Sequence, residues 1–245
     1  MHDSAPMPTE IRPPVAGLRG FGFWLCLLCG VLGFGKAWAA PPAAALSAQP
    51  VPGAFTTNNY GVTFSVPAGL FHCPYPPSWV GSDHGVNLYL EKPGRCDPGG
   101  GAAATDQETP PLIQVFYAYN VGEYPQPDGT TRAPATNQEL IAQSCDAQAQ
   151  PLPAGLTLLG TAAAGCLTTK GSGISLVIGA LYFEYPGQPS PQPDSDLILT
   201  LDTTKARYHH DLGLFRELAA SVAICTIAGE PAHPPRARCP SASWW

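Results

Sequence analysis

Alternation of apolar and polar residues is the clearest pattern along this chain, and it predicts β-strands. In YGVTFSVP, every second residue from Val62 to Val66 is apolar, and the residues between them are polar. The run 112–118 (LIQVFYA) is denser in apolar residues, which favours a central position in a sheet. About six strands are predicted in this way, over 60–67, 86–91, 112–118, 156–168, 174–185 and 196–202.

Two further segments have the periodicity of an amphipathic helix. The first begins at Thr136, where Thr136 and Glu139 form a capping-box pattern, and a helix of about three or four turns is predicted there. In the second, over 211–225, apolar residues recur every three or four positions from Leu212 onward. Asp211 is predicted as the N-cap of this second helix.

The order of these elements predicts the fold class. Three strands precede the first helix, three more follow it, and the second helix comes last. The links between strands are short enough for antiparallel pairing, and 171–173 (GSG) predicts a hairpin turn. Two amphipathic helices can cover one face of such a sheet. The expected fold is therefore α+β, a largely antiparallel sheet of about six strands covered by two helices.

Two stretches resemble the PsbP-like fold of exported and accessory proteins. They are the opening YGVTFSVPAGL and the closing DLILTLDTTKARYHHDLGLFRELAASVAI, within 60–224. The resemblance implies a PsbP-like sandwich and a non-enzymatic binding, assembly or chaperone-like module. It assigns no functional residue, and the cysteines and the proline-rich insertions depart from the usual pattern.

The N-terminal segment has the three parts of a secretory signal peptide. Arg12 and Arg19 precede the uncharged run 21–35, and Ala37-Trp38-Ala39 is a small-residue cleavage signal. As a helix the run would extend over about 22 Å, which is less than the hydrocarbon core of a membrane. An uncleaved anchor is the alternative. The expected organisation is a signal peptide over 1–39, a Pro/Ala-rich linker over 40–56, one α+β domain over 57–228 and a Pro-rich tail over 229–245.

Cysteine content agrees with export to an oxidising compartment. Six of the eight cysteines follow the predicted leader, and six cysteines allow 15 pairings. Their spacing favours three successive local loops, and a thiolate metal site is the alternative. The favoured pairs are Cys73–Cys96, Cys145–Cys166 and Cys225–Cys239. The formal net charge of −6 argues against a nucleic-acid partner, because no basic stripe is available for phosphate.

Few residues are candidates for chemistry. Asp83 and His84 are adjacent, and His84 could serve as a general base, but neighbouring side chains on an extended segment point apart. The competing interpretation is a structured turn. Tyr75 and Trp79, in the proline-rich loop before them, are candidates for partner contact. His209-His210-Asp211 has no metal-ligand spacing, and no metal or other cofactor is predicted.

These patterns together predict an exported, disulfide-stabilised binding module, periplasmic or secreted, whose partner is an envelope protein or a small ligand. Two alternatives remain open. One is an envelope hydrolase that uses His84 with a nearby carboxylate, and the other is a structural envelope protein. No membrane span is expected after the leader is removed.

Overall fold

The structure is a computed structural model, and part of the chain is described by it. The described residues are 47–51, 53–57, 60–74, 84–96, 110–119, 124–125, 129–146, 148–183, 193, 195–226 and 236–240. The predicted signal peptide, Tyr75, Trp79 and Asp83 lie outside these ranges.

The described residues form fourteen strands and two helices. In chain order they are β1 (Gln49–Pro50), β2 (Ala54–Thr56), β3 (Val62–Ser65), β4 (Phe71–His72), β5 (Gly85–Tyr89), β6 (Leu112–Tyr119), β7 (Tyr124–Pro125), β8 (Thr131–Arg132), α1 (Asn137–Ala142), β9 (Thr157–Leu158), β10 (Thr161–Ala162), β11 (Ala164–Lys170), β12 (Gly173–Tyr182), β13 (Ser195–Thr204), α2 (Tyr208–Ser221) and β14 (Ala223–Ile224).

The main sheet has seven antiparallel strands in the order β1-β4-β5-β6-β13-β12-β11. The predicted α+β class with a mostly antiparallel sheet is confirmed, and β6 is central as its apolar run predicted. Five of the six predicted strands lie in this sheet, and the short β1 and β4, which were not predicted, extend one edge to make seven. The strand predicted over 60–67 corresponds to β3, which lies in a separate three-stranded sheet. Neither the number nor the order of the strands is specific to the PsbP-like fold.

One face of the main sheet carries the hydrophobic core. Leu199, Ile178 and Val115 point to this face from three neighbouring strands, and none has exposed surface. Phe215 and Leu218 of α2 are fully buried in the same cluster. A three-stranded sheet, in the order β14-β3-β2, contacts α2 through β3.

The short helix α1 packs against the opposite face. At Gly179 of β12, a Cβ atom would lie 2.5 Å from Cδ1 of Ile141, so only glycine allows this close approach. The main-chain N–H of Leu181 donates to Oδ1 of Asn137 at 2.8 Å. The helix has six residues rather than three or four turns, because the chain turns after it to bring Cys145 to its disulfide partner on β11.

The N-terminus of α1 has part of the predicted capping box. The N–H of Glu139 donates to Oγ1 of Thr136 at 3.2 Å, while the Glu139 carboxylate accepts from the N–H of Ala135 at 2.7 Å. Arg132 of β8 donates two hydrogen bonds to the same carboxylate, at 2.7 and 2.8 Å. These bonds lower the pKa of Glu139 to about 2, and the hydrogen bonds from Arg132 are the largest cause.

Two predicted elements differ from the structure. The segment predicted as one strand over 156–168 contains the β9–β10 hairpin followed by β11. Its two-residue turn places Leu159 and Gly160 at φ values of 51° and 75°. The apolar pattern continues through this turn, and leucine is not a turn signal. Asp211 is not the N-cap of α2 either, since the helix begins at Tyr208 and the Asp211 side chain is turned into the protein.

Parts of the predicted linker and tail are bound to the sheets. Within 40–56, β1 pairs with β4 and β2 pairs with β3, and Phe55 is buried against Phe64. Within 229–245, the N–H of Cys239 donates to the carbonyl of Thr226 at 2.9 Å. Composition alone did not indicate these contacts, because they depend on partner segments distant in sequence.

Three disulfides join the six cysteines in the described ranges, and they are the three local pairs that spacing favoured: Cys73–Cys96, Cys145–Cys166 and Cys225–Cys239. This content indicates an oxidising, extracellular type of environment. Within the described ranges, no helix has both the length and the apolar character needed to cross a membrane.

Candidate functional site

Polar side chains meet where β11 ends, β12 begins and β13 ends. Strand register places Thr168, Ser175 and Asp202 side by side in one cross-strand row. The next row contains Lys170 and Thr204, on either side of a glycine. Residues two apart on a strand share a face, so all of these positions lie on the face opposite the core. The ends of three strands therefore form a hydrogen-bonding surface.

This surface is the floor of a groove of about 550 Å³, a volume in the range of small-molecule and peptide sites. Pro110 and Pro111, which directly precede β6, contribute an apolar wall. The basic residue Lys170 and the acidic residue Asp202 line the groove. Its hydroxyl-bearing residues are Thr168, Ser172, Ser175, Thr203 and Thr204.

A charged cluster lies behind the groove and connects to it through Thr203. The hydroxyl of Thr203 donates to Oδ2 of Asp211 at 2.5 Å, and the Asp211 side chain has no exposed surface. Arg207 donates to both oxygens of that carboxylate, each at 3.1 Å, and also to Glu91 at 2.5 Å. Nδ1 of His210 donates to Oδ1 of Asp211 at 3.0 Å.

These bonds determine the ionisation of Asp211. Burial raises its pKa, but the hydrogen bonds from His210, Thr203 and Arg207, together with the Arg207 charge, outweigh burial and leave the pKa below its ordinary value. The carboxylate is therefore ionised at neutral pH and holds the Thr203 hydroxyl in one orientation. Register places the Thr203 side chain on the core face, beside Ile174, so the cluster fixes the end of β13 from the side opposite the groove.

Asp196, near the start of β13, is a second buried carboxyl group. Its residue is 1% exposed, and its Oδ1 atom has no hydrogen-bond partner among the described residues. Burial raises its pKa, and hydrogen bonds from the main-chain N–H groups of Asp196 and Ala118 oppose this shift. The charged form is thus disfavoured by folding.

We expect Asp196→Asn to improve stability relative to the wild type more at pH 7 than at pH 4. A carboxyl group with a raised folded-state pKa destabilises the fold when ionised, and that penalty disappears as the pH falls through the raised pKa. Chemical denaturation of both proteins at the two pH values measures this. Asp202→Asn, at an exposed aspartate, is the control. If the difference in free energy of unfolding between Asp196→Asn and the wild type were equal at both pH values, the raised pKa of Asp196 would be contradicted.

His84 is hydrogen-bonded to Tyr60, and its role as a general base stays a prediction. Its Nδ1 atom is 2.8 Å from the hydroxyl oxygen of Tyr60, and the two rings are in edge-to-face contact. Tyr60 in turn packs on Tyr117, with ring centroids 5.0 Å apart. His84 is not among the residues that line the groove. The structure therefore pairs His84 with a phenol, and Tyr75, Trp79 and Asp83 stay predictions because they lie outside the described residues.

His210 lies beside a carboxylate but points away from the groove, with 73% of its side chain exposed. In the ranges that the structure covers, no three histidine, cysteine, aspartate or glutamate side chains are grouped so that they could hold a metal ion. The groove itself offers hydroxyl, ammonium and carboxylate groups, which bind polar ligands through hydrogen bonds and ion pairs.

The groove residues were not identified from sequence. The signal was present in the polar positions at the ends of the predicted strands, Thr168, Ser175 and Asp202. These residues become a site through the register between three strands, which the sequence does not state.

No protein-family model, curated protein or solved structure matches this chain. The assignment of a function therefore depends on the geometry described above.

Proposed function

We propose that this protein is an exported, disulfide-stabilised binding module whose polar ligand occupies the groove at the ends of β11, β12 and β13. The observation that carries the proposal is a groove of about 550 Å³ that combines Lys170, Asp202 and several hydroxyl groups. Such a set fixes the orientation of a polar ligand. We also propose that export follows cleavage after Ala39 and ends in the periplasm or outside the cell, and the three disulfides support this.

The chemistry of the groove favours binding over hydrolysis. A hydrolytic nucleophile needs a base within hydrogen-bond reach, and the histidine that the hydrolase alternative requires is bonded to Tyr60. The groove hydroxyls lie instead beside one ammonium and one carboxylate, which are recognition groups. An envelope protein or a small molecule that presents complementary polar groups would fit this surface.

We expect Ser175→Trp to abolish ligand binding, because Ser175 lies on β12, the middle strand of the groove floor, and an indole would fill the volume above it. The wild type would first be screened by thermal shift against amino acids, short peptides, oligosaccharides, dicarboxylates and sugar phosphates. Isothermal titration of the compounds that raise the melting temperature would then compare both proteins.

Ala162→Trp is the matched control, since Ala162 is exposed on β10 and does not line the groove. Circular dichroism establishes that both variants are folded. If Ser175→Trp does not fold, Lys170→Glu takes its place. A ligand that binds Ser175→Trp as it binds the wild type would refute the groove as the site, and the absence of any binding compound would refute the binding function.

A further inference from the structure

A second hollow lies at the free edge of β11 and is continuous with the groove. It has a volume of about 420 Å³ and is lined by Asp146, Gln148, Thr168, Thr169 and Lys170. Thr168 and Lys170 also line the groove, so the two depressions meet around the end of this strand. A ligand in the groove can therefore extend to the sheet edge.

Main-chain groups of β11 face this hollow. Leu167 uses both its N–H and its C=O to bond with Gln150, at 3.0 and 2.7 Å, on the edge of the sheet away from β12. In an antiparallel ladder, residues two apart direct these groups to the same side. The N–H and C=O of Thr169 therefore point outward, and no described residue bonds to them there. Thr169 is exposed.

A local turn lies beside the hollow, in the segment that precedes Gln150. The N–H of Gln148 donates to Oδ1 of Asp146 at 2.9 Å, and the N–H of Ala149 donates to the carbonyl of Asp146 at 3.1 Å. The pairing with β11 is an isolated bridge at Gln150, and no described residue of the turn makes a main-chain hydrogen bond to Thr169. The next outward main-chain pair, at Thr169, stays accessible to another molecule.

We infer that the ligand of this groove is an extended polypeptide segment that pairs its main chain with Thr169 and places an acidic side chain beside Lys170. This inference rests on the proposed binding function and names the class of ligand. A donor and an acceptor on one strand edge match a peptide unit, as in other complexes that add a strand to a sheet. The side chain next to the paired residue falls on the groove face, where Lys170 of the same edge strand supplies a positive charge. Of the two described carboxylates that line these depressions, Asp202 lies two strands away on β13, and Asp146 already accepts the N–H of Gln148.

Charge and main-chain pairing can be tested with defined peptides. The probe is the blocked hexapeptide acetyl-Thr-Val-Glu-Val-Thr-Ser-amide, titrated into ¹⁵N-labelled full-length protein. We expect shifts at the amides of Thr169 and Lys170. The same peptide with lysine in place of glutamate should bind about threefold to fivefold more weakly. An analogue with ester oxygens in place of both valine N–H groups should bind about fivefold more weakly or worse.

Protein variants test the same contacts from the other side. Lys170→Glu should reverse the preference, so that the lysine peptide binds more tightly than the glutamate peptide. Lys92→Glu, the same charge change at another exposed lysine, should leave it unchanged. Thr169→Pro removes the outward N–H of the protein and so tests main-chain pairing. If this variant does not fold, the ester analogue of the peptide tests main-chain pairing with the wild-type protein.

Equal binding of the glutamate, lysine and ester peptides would overturn the inference. Shifts confined to the groove, without Thr169, would also overturn it but would leave the groove as a site for a small polar ligand. A protein that binds none of these peptides and no compound of the thermal-shift screen would refute the binding function itself. The two failures are therefore distinguishable.

Discussion

Full reduction of the three disulfides is expected to unfold the protein at 37 °C. They close loops with sequence separations of 23, 21 and 14 residues. Loops of this size contribute about 3 kcal/mol each in the chain-entropy account, so the sum is comparable with the whole stability of a typical domain. Urea denaturation followed by circular dichroism, with and without a phosphine reductant, measures the difference.

Paired serine substitutions separate the three bonds. We expect replacement of Cys145 and Cys166 to lower the free energy of unfolding by about 3 kcal/mol, since that bond anchors α1 to β11. Intact mass before and after reduction checks that six thiols appear. A reduced protein that keeps its native spectrum and its denaturation midpoint would show that the core alone maintains the fold.

Asp211→Ala is expected to lower the free energy of unfolding by about 2 to 3 kcal/mol at pH 7, because a buried charged acceptor of several hydrogen bonds is lost. The Arg207 side chain keeps its ion pair with Glu91. Here Arg207 would lose its partner at two bonds and Thr203 would lose the acceptor for its hydroxyl. Chemical denaturation at pH 7 measures the loss. Glu217→Ala, at an exposed carboxylate on the same helix, should change stability by less than about 0.5 kcal/mol.

The same pair of proteins has an expected pH dependence. Because the folded-state pKa of Asp211 is lowered, its contribution is complete above the unfolded-state value near 4 and is lost as the pH falls through the lower folded-state pKa. The difference between wild type and Asp211→Ala should therefore be constant above about pH 5 and shrink below about pH 4. A difference that does not change with pH would show that packing alone, and not ionisation, explains the loss.

Elements whose residues face two distinct environments were predictable from the sequence. The alternation from Val62 to Val66 and the apolar stripe beginning at Leu212 correspond to β3 and α2, because burial on one side imposes a period on the sequence. The turn at Leu159 was not predictable, since the backbone there adopts a left-handed conformation that leucine does not favour. Tertiary packing, and not local preference, determines that turn.

The candidate site was less accessible to sequence reasoning than the fold. Lys170 and Asp202 are separated by 32 positions along the chain and line one groove because β11, β12 and β13 pair in a particular register. A one-residue slip of either pairing would place one of them on the opposite face. Asp211 was assigned to a helix cap from its position in the sequence, whereas its hydrogen bonds to Thr203 and Arg207 depend on the return of α2 to the sheet.

The two buried carboxyl groups have pKa values displaced in opposite directions, so acidification affects them in opposite ways. As protons are added, Asp196 loses a charge that opposed folding, and at lower pH Asp211 loses a charge that favoured it. The contribution of these two groups to stability therefore rises as the pH begins to fall, and it decreases only at lower pH, below the ordinary pKa of aspartate. A moderate fall in the pH around the protein would thus strengthen its fold before a stronger fall weakens it.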